Sequence, residues 1–172
     1  MPENRRIGTL MVPLAEYPSV YDDDSLKDAV IALNKHRTKG EKPLHRSVLV
    51  FSRTRKVQGE ELLVGILTIR DILATIQKNI AISENYTLQT MGWAYFYRRD
   101  PLMQSLITRV RQSVRPLVKA YAQVDDAATK AIEIMMTGKV NLVPVFSGKK
   151  AVGIVRSIDI LDYIADMLVD GR

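Results

Sequence analysis

The stretch Leu63-Val64-Gly65-Ile66-Leu67-Thr68-Ile69-Arg70-Asp71-Ile72-Leu73 occurs a second time as Ala151-Val152-Gly153-Ile154-Val155-Arg156-Ser157-Ile158-Asp159-Ile160-Leu161. Gly65 aligns with Gly153 and Asp71 with Asp159, each pair 88 positions apart. Upstream, Val48-Leu49-Val50-Phe51-Ser52 matches Val143-Pro144-Val145-Phe146-Ser147 at an offset of 95. Further upstream, Asp23-Asp24-Ser25-Leu26-Lys27-Asp28-Ala29 matches Asp125-Asp126-Ala127-Ala128-Thr129-Lys130-Ala131 at an offset of 102. Three blocks in one order make an internal repeat, and a repeat decides architecture before any single motif does. The offset falls by seven twice, so the first copy carries two extra stretches. These lie near Lys39-Gly40-Glu41-Lys42-Pro43 and near Arg55-Lys56-Val57-Gln58-Gly59-Glu60, both polar and expected as surface-loop insertions.

Each copy has the same element order. Leu26, Ala29, Val30 and Leu33 recur at helical spacing after the Asp-Asp-Ser start signal. Val48 to Phe51 and Leu63 to Leu67 are expected as short strands, and Ile69, Ile72, Leu73 and Ile76 as the apolar stripe of a second helix. The other copy predicts a helix from Ala127, strands near Leu142–Phe146 and Ala151–Val155, and a helix from Ser157 to Leu168. A strand-rich segment before each first helix, around Leu10–Val20 and Leu117–Val124, completes a β-α-β-β-α unit. The fold class is α+β. One such unit is marginal alone, whereas two can bury a shared face.

This order, with Met11-Val12-Pro13 ahead of it and Gly65-Ile66-Leu67-Thr68-x-x-Asp71 at a strand-to-helix junction, resembles the cystathionine-β-synthase (CBS) domain. A tandem pair resembles a Bateman module. The resemblance covers residues 7–78 and 114–169, leaving 79–113 as a connecting segment. It implies two repeats packed sheet to sheet with pseudo-twofold symmetry, and clefts that hold AMP, ADP, ATP or S-adenosylmethionine. It further implies a regulatory, metabolite-sensing role without catalysis, an unidentified regulated protein and a homodimer. By the same resemblance Asp71 accepts ribose hydroxyls and Thr68 lies near ribose or phosphate. The apolar adenine walls come from Leu49, Val143 and Pro144, and Arg70, Arg156 and Asp159 complete the implied nucleotide-binding set.

The residues themselves admit a second reading. Thr68-x-x-Asp71 ahead of an amphipathic helix is also the pattern of a capping box, and an acid in the first turn suits the helix dipole. Both roles are compatible. In the second copy Arg156 replaces Thr68, where it would either clamp a phosphate bidentately or close the cleft. Ser157 is then expected to cap one residue late. One nucleotide per protomer follows, at the Asp71 site.

The connecting segment contains Tyr86, Trp93, Tyr95, Phe96 and Tyr97, five of eleven aromatics, followed by Arg98-Arg99-Asp100-Pro101. Leu102, Leu106, Ile107 and Val110 suggest a helix with Arg109, Arg111 and Arg115 on or near its surface. The aromatics fit helix cover or a dimer contact, a docking surface or, less well, a stacking platform for single-stranded nucleic acid.

Composition narrows the function classes. Of 172 residues 47% are apolar and 26% charged, as in a globular protein. Cysteine is absent, which removes disulfides, thiolate catalysis and Cys-based zinc sites. A net charge of +6 suits nucleic acid, an anionic membrane, a phosphorylated ligand or simple solubility. No apolar run approaches the ~20 residues that span a bilayer. The first residues lack a secretory apolar stretch, so the expected compartment is the cytoplasm. His36 and His45 lie among basic residues, and no metal-ligand spacing, phosphate-binding loop or dinucleotide fingerprint is present. Asp22-Asp23-Asp24 fits either a cation site or a solvated helix start, and the dipole favours the second.

Overall fold

A computed structural model describes residues 5–35, 45–90, 100–116 and 120–171. The first insertion, His36, and the aromatic run from Trp93 to Arg99 lie outside the described residues, as does the Tyr86 side chain. The described elements are β1 (Val12–Pro13), β2 (Ser19–Tyr21), α1 (Leu26–Asn34), β3 (Ser47–Val57), β4 (Glu60–Thr68) and α2 (Ile69–Thr90). They continue as α3 (Pro101–Ser105), β5 (Arg115–Pro116), β6 (Ala122–Gln123), α4 (Ala128–Gly138), β7 (Leu142–Ser147), β8 (Lys150–Arg156) and α5 (Ser157–Asp170).

The chain divides into two compact units. One is built from Pro18–Arg55 and Glu61–Pro116, the other from Met1–Tyr17, Lys56–Glu60 and Leu117–Arg172. The first unit has a sheet ordered β2-β3-β4-β5, and the second has one ordered β1-β8-β7-β6. β2 runs parallel to β3 (Val20 opposite Val50), and β6 runs parallel to β7 (Ala122 opposite Val145). In the first unit Val48, Val50, Leu67 and Val110 pack with Leu26, Ala29 and Leu33 of α1 and Ile72 and Ile76 of α2. In the second, Val143, Val145 and Val155 pack with Ala128, Ala131 and Met135 of α4 and Ile160 and Tyr163 of α5.

The strand-rich segments before α1 and α4 do not form one strand each, as the sequence suggested. The first holds two short strands, β1 and β2, in different sheets; the second, whose residues 117–119 lie outside the described ones, holds only β6, and β5 just before it belongs to the other sheet. β1 joins β8 antiparallel, with Val12 opposite Ile154 and Pro13 opposite Gly153. β5 joins β4 in the same manner, with Arg115 opposite Ile66 and Pro116 opposite Gly65. Proline has no amide to donate, so Pro13 and Pro116 suit these edge positions. Gly65 and Gly153, the most evident pair of the repeat, sit opposite them because no side chain fits. An added Cβ on Gly65 would lie 2.1 Å from the Arg115 carbonyl oxygen.

The segments next to these edge strands seal the helix starts. Leu26 and Lys27 amides at the start of α1 donate to the carbonyls of Thr108 (2.9 Å) and Leu106 (3.0 Å), and Val110 donates to Asp24 (2.8 Å). In the second unit the Ala128 amide donates to Arg5 (2.9 Å) and Ile7 donates to Asp126 (2.9 Å). These bonds explain why the helix expected through Val110 is only Pro101–Ser105. The carbonyls of Leu106 and Thr108 serve α1 instead of continuing α3, and Arg109 is extended with φ −69° and ψ 139°. Asn79 and Thr75 of α2 hydrogen-bond Thr108 (2.9 Å) and Ser113 (2.6 Å), fastening the segment further. The helix before it, α2, runs on to Thr90 and so takes in the start of the connecting segment.

The second insertion is a hairpin extension, not a loop. It lengthens β3 and β4 to 11 and 9 residues, against 6 and 7 for β7 and β8. Gln58 and Gly59 make the turn with φ of 52° and 81°, the left-handed pair that suits a tight hairpin.

Ser25 caps α1 with a complete capping box. Its hydroxyl accepts the Asp28 amide (3.3 Å), while Asp28 accepts the Ser25 amide (2.9 Å) and hydroxyl (2.8 Å). Ala127, its counterpart before α4, provides no side-chain cap. The Ser25 amide and hydroxyl hold the Asp28 carboxyl below its ordinary pKa. A folded pKa below the unfolded one stabilises fully above the unfolded value, and that contribution is lost as pH falls through the folded value. Ser25→Ala is therefore expected to cost about 1 kcal/mol near neutral pH. In urea melts the deficit of Asp28→Asn should shrink as pH drops below about 4. A deficit that stays constant through the acid range would contradict this account of the cap.

Candidate functional site

The junction of β4 and α2 concentrates the implied site residues. Thr68 ends β4 and Asp71 lies in the first turn of α2. The expected capping box is present. Thr68 Oγ1 accepts the Asp71 amide (3.1 Å), and Asp71 Oδ2 accepts the Thr68 amide (3.0 Å) and hydroxyl (2.6 Å). The other oxygen, Oδ1, accepts Arg115 Nε at 2.7 Å. The Asp71 side chain is 12% exposed and that of Arg115 62%. A carboxylate half-enclosed at a helix N-terminus, with one oxygen turned to a movable partner, can receive hydroxyl donors from a ligand. Arg70 is exposed on the surface of the same turn.

Leu49 lies between Val48 and Val50 on β3. Its neighbours pack into the helix-side core, so strand alternation turns Leu49 to the opposite face, where it is buried. Pro144, its counterpart on β7, has the same disposition between Val143 and Val145. Both suit an apolar wall. The Val143 side chain does not, because it is committed to the core between sheet and helices.

The second junction is chemically different. Asp159 Oδ2 accepts Arg156 Nε (2.9 Å) and the Arg156 amide (2.8 Å), while Oδ1 accepts Arg156 Nη2 (2.6 Å). Arg156 is 25% exposed, and the Asp159 hydrogen bond raises its pKa above the ordinary value. It occupies the carboxylate next to it. Ser157 does not cap α5: it is the first helical residue, and its amide donates to the Asn141 carbonyl (2.8 Å).

The acidic run before α1 is held by arginines. Arg53 pairs with Asp23 and Asp24 and stacks 3.9 Å from the Tyr21 ring centroid, and Arg109 donates to the Asp23 carbonyl. Asp24 also accepts the Tyr21 amide (2.9 Å), as Asp126 accepts that of Gln123 (2.8 Å). Among the described residues no group of His, Asp and Glu could hold a metal ion, and no helix is long and apolar enough to cross a membrane.

Arg115 is the residue that sequence reasoning missed at this site. It was expected on a helix surface. The available signal was one residue wide: Pro116 stands 103 positions after Pro13, next to the repeat offset of 102, which makes Arg115 the counterpart of Val12.

Two mixed units of this topology, each with a strand–helix junction carrying the Gly and Asp of the repeat, define a tandem CBS pair. The CBS domain family model matches residues 7–78 and 113–166, and the chain belongs to that family. Solved structures agree on the fold. A CBS domain-containing protein of unknown function from Bacillus anthracis str. Ames Ancestor is similar at a TM-score of 0.63 and 17% identity, over 94% of each chain. CBSX2 in complex with AMP is similar at 0.62 and 16% identity, over 94% of this chain and 97% of that one. The CBS domain of a bacterial CNNM/CorC family Mg2+ transporter, in complex with ATP, is similar at 0.62 and 17%, over 95% and 89%. No curated protein matches the chain.

Proposed function

We propose that this chain is a regulatory, metabolite-sensing module that binds an adenine nucleotide and thereby changes its engagement of a partner protein. Asp71 is the ribose-binding carboxylate, with Thr68 beside it and Leu49 as apolar wall. The observation that carries the reading is the Asp71 carboxylate itself: enclosed at a strand-to-helix junction, with one oxygen bound only by an exposed arginine. Membership of the CBS family supports it, as do the two similar structures that hold AMP and ATP. Asp159 is not the site, because Arg156 already satisfies both its oxygens.

A ligand of this kind regulates only through unequal affinity for two states of the protein. Calorimetric titration with AMP, ADP and ATP tests the reading. The expected result is one nucleotide per chain, lost in Asp71→Ala and kept in Asp159→Ala. Two equivalent sites, or binding that survives Asp71→Ala, would overturn it.

A second reading, a docking and dimerisation module without ligand, is favoured by the apolar side chains left exposed on α4 and α5, among them Met136, Leu161 and Leu168. A chain that binds no nucleotide yet sediments as a dimer would support it.

A further inference from the structure

We infer that Arg115 makes the Asp71 site select phosphorylated ribosides over neutral ones, an inference that rests on the nucleotide reading of that site. The acceptor positions on Asp71 are nearly all in use. A carboxylate offers about four lone-pair positions. Thr68 takes two on Oδ2, at 3.0 and 2.6 Å, and Arg115 Nε takes one on Oδ1 at 2.7 Å. A ribose presents two adjacent hydroxyls, so both can be received only when Arg115 gives way.

The exposures and the chain separations decide which contact yields. The Thr68 bonds are a helix cap between residues three apart, and breaking them would fray α2. The Arg115 bond joins residues 44 apart through a side chain that is 62% exposed. An exposed pair of this kind contributes little. Once displaced, Arg115 stays beside the site, because β5 remains paired to β4 through Ile66 and Arg115. A guanidinium that has lost one oxyanion is suited to another, and phosphate matches its fork of donors. A neutral riboside therefore replaces the ion pair on Asp71 with its hydroxyls and leaves Arg115 without an anionic partner. A nucleotide replaces that partner with a charge-assisted contact of its own.

The second unit lacks this exchange. The position of Arg115 is taken on β1 by Val12, opposite Ile154. The arginine that meets Asp159 is its neighbour Arg156, bonded through two nitrogens and 25% exposed. Each carboxylate has a guanidinium partner, but only that of Asp71 is held by a single, exposed contact.

The test compares adenosine with AMP by calorimetry on the intact chain, on Arg115→Gln and on Arg115→Lys. The wild type should prefer AMP. In Arg115→Gln the preference should shrink roughly tenfold or more, the scale of one charge-assisted hydrogen bond. AMP should weaken while adenosine holds or tightens a few-fold. Arg115→Lys keeps the charge without the fork and should fall between. Should both ligands bind through Asp71 with the same preference in all three proteins, the inference is wrong and the nucleotide reading stands. Should neither ligand bind the wild type, the nucleotide reading fails and takes the inference with it.

Discussion

Gly65→Ala is expected to lower stability by about 3–4 kcal/mol, and the melting temperature by roughly 6–16 °C for a chain of this size. The new Cβ would lie 2.1 Å from the Arg115 carbonyl oxygen, 2.9 Å from Val114 Cγ2 and 3.0 Å from the Arg115 carbonyl carbon. Two of those atoms are backbone, so no rotamer change relieves the clash and β5 itself must move. Overpacking alone costs about 1–3 kcal/mol. Each ladder hydrogen bond lost with β5 adds about 0.5–1.5 kcal/mol. Gly153→Ala should cost less, since its nearest contact is the flexible end of Met11, at 2.5 Å, with the Val12 carbonyl oxygen at 2.8 Å. Thermal or urea unfolding measures both. A Gly65→Ala protein within about 1 kcal/mol of wild type would refute the close β4–β5 approach, being no more than an average point substitution costs.

Ile7→Ala carries the other large effect. Ile7 is fully buried in the core of the second unit, beside Ala128, Met135 and Tyr163. Removing a buried isoleucine to its Cβ costs about 2–5 kcal/mol. The amide of the same residue bonds Asp126 at the start of α4, so the segment that seals that helix would loosen as well. By repeat order Ile7 belongs to the first copy, yet the damage should fall on the second unit. Hydrogen exchange should quicken in α4 and β7 and leave α1 and β3 unchanged. Faster exchange in α1 instead would contradict the division of the chain described above.

The comparison of these two sites shows what was readable from the residues. The paired helices and long strands announced themselves, because Leu26, Ala29 and Leu33, or Ile69, Ile72 and Ile76, carry a period that local geometry imposes. The capping box at Thr68 and Asp71 was likewise local, three residues wide. The exchange of β1 and β5 was not readable in the same way. A two-residue strand has no period, and Val12 meets Ile154 across most of the chain. Arg115 was misplaced for that reason: Leu106 and Val110 ahead of it have helical spacing, but Leu106 ends α3 half-buried against the core, Arg109 is extended, and Val110 is buried at the start of a separate 3-10 turn. Ser157 failed as a cap because Arg156, with its amide bonded to Asp159, already terminates the strand. The Gln58-Gly59 hairpin read as a loop because polar residues at an exposed β-ribbon look the same as a loop in composition. Gly59, a residue suited to the left-handed turn position it takes, was the available clue.

The most direct test of the central claim is thermal stability of nucleotide-free protein across a panel of adenine nucleotides, on wild type and Asp71→Ala. A ligand at about 100 times its dissociation constant stabilises by roughly 2.7 kcal/mol, worth about 5–10 °C here. The account predicts such a shift for at least one nucleotide with the wild type and none with Asp71→Ala. No shift for the folded wild type with any nucleotide, or an equal shift in both proteins, would contradict it.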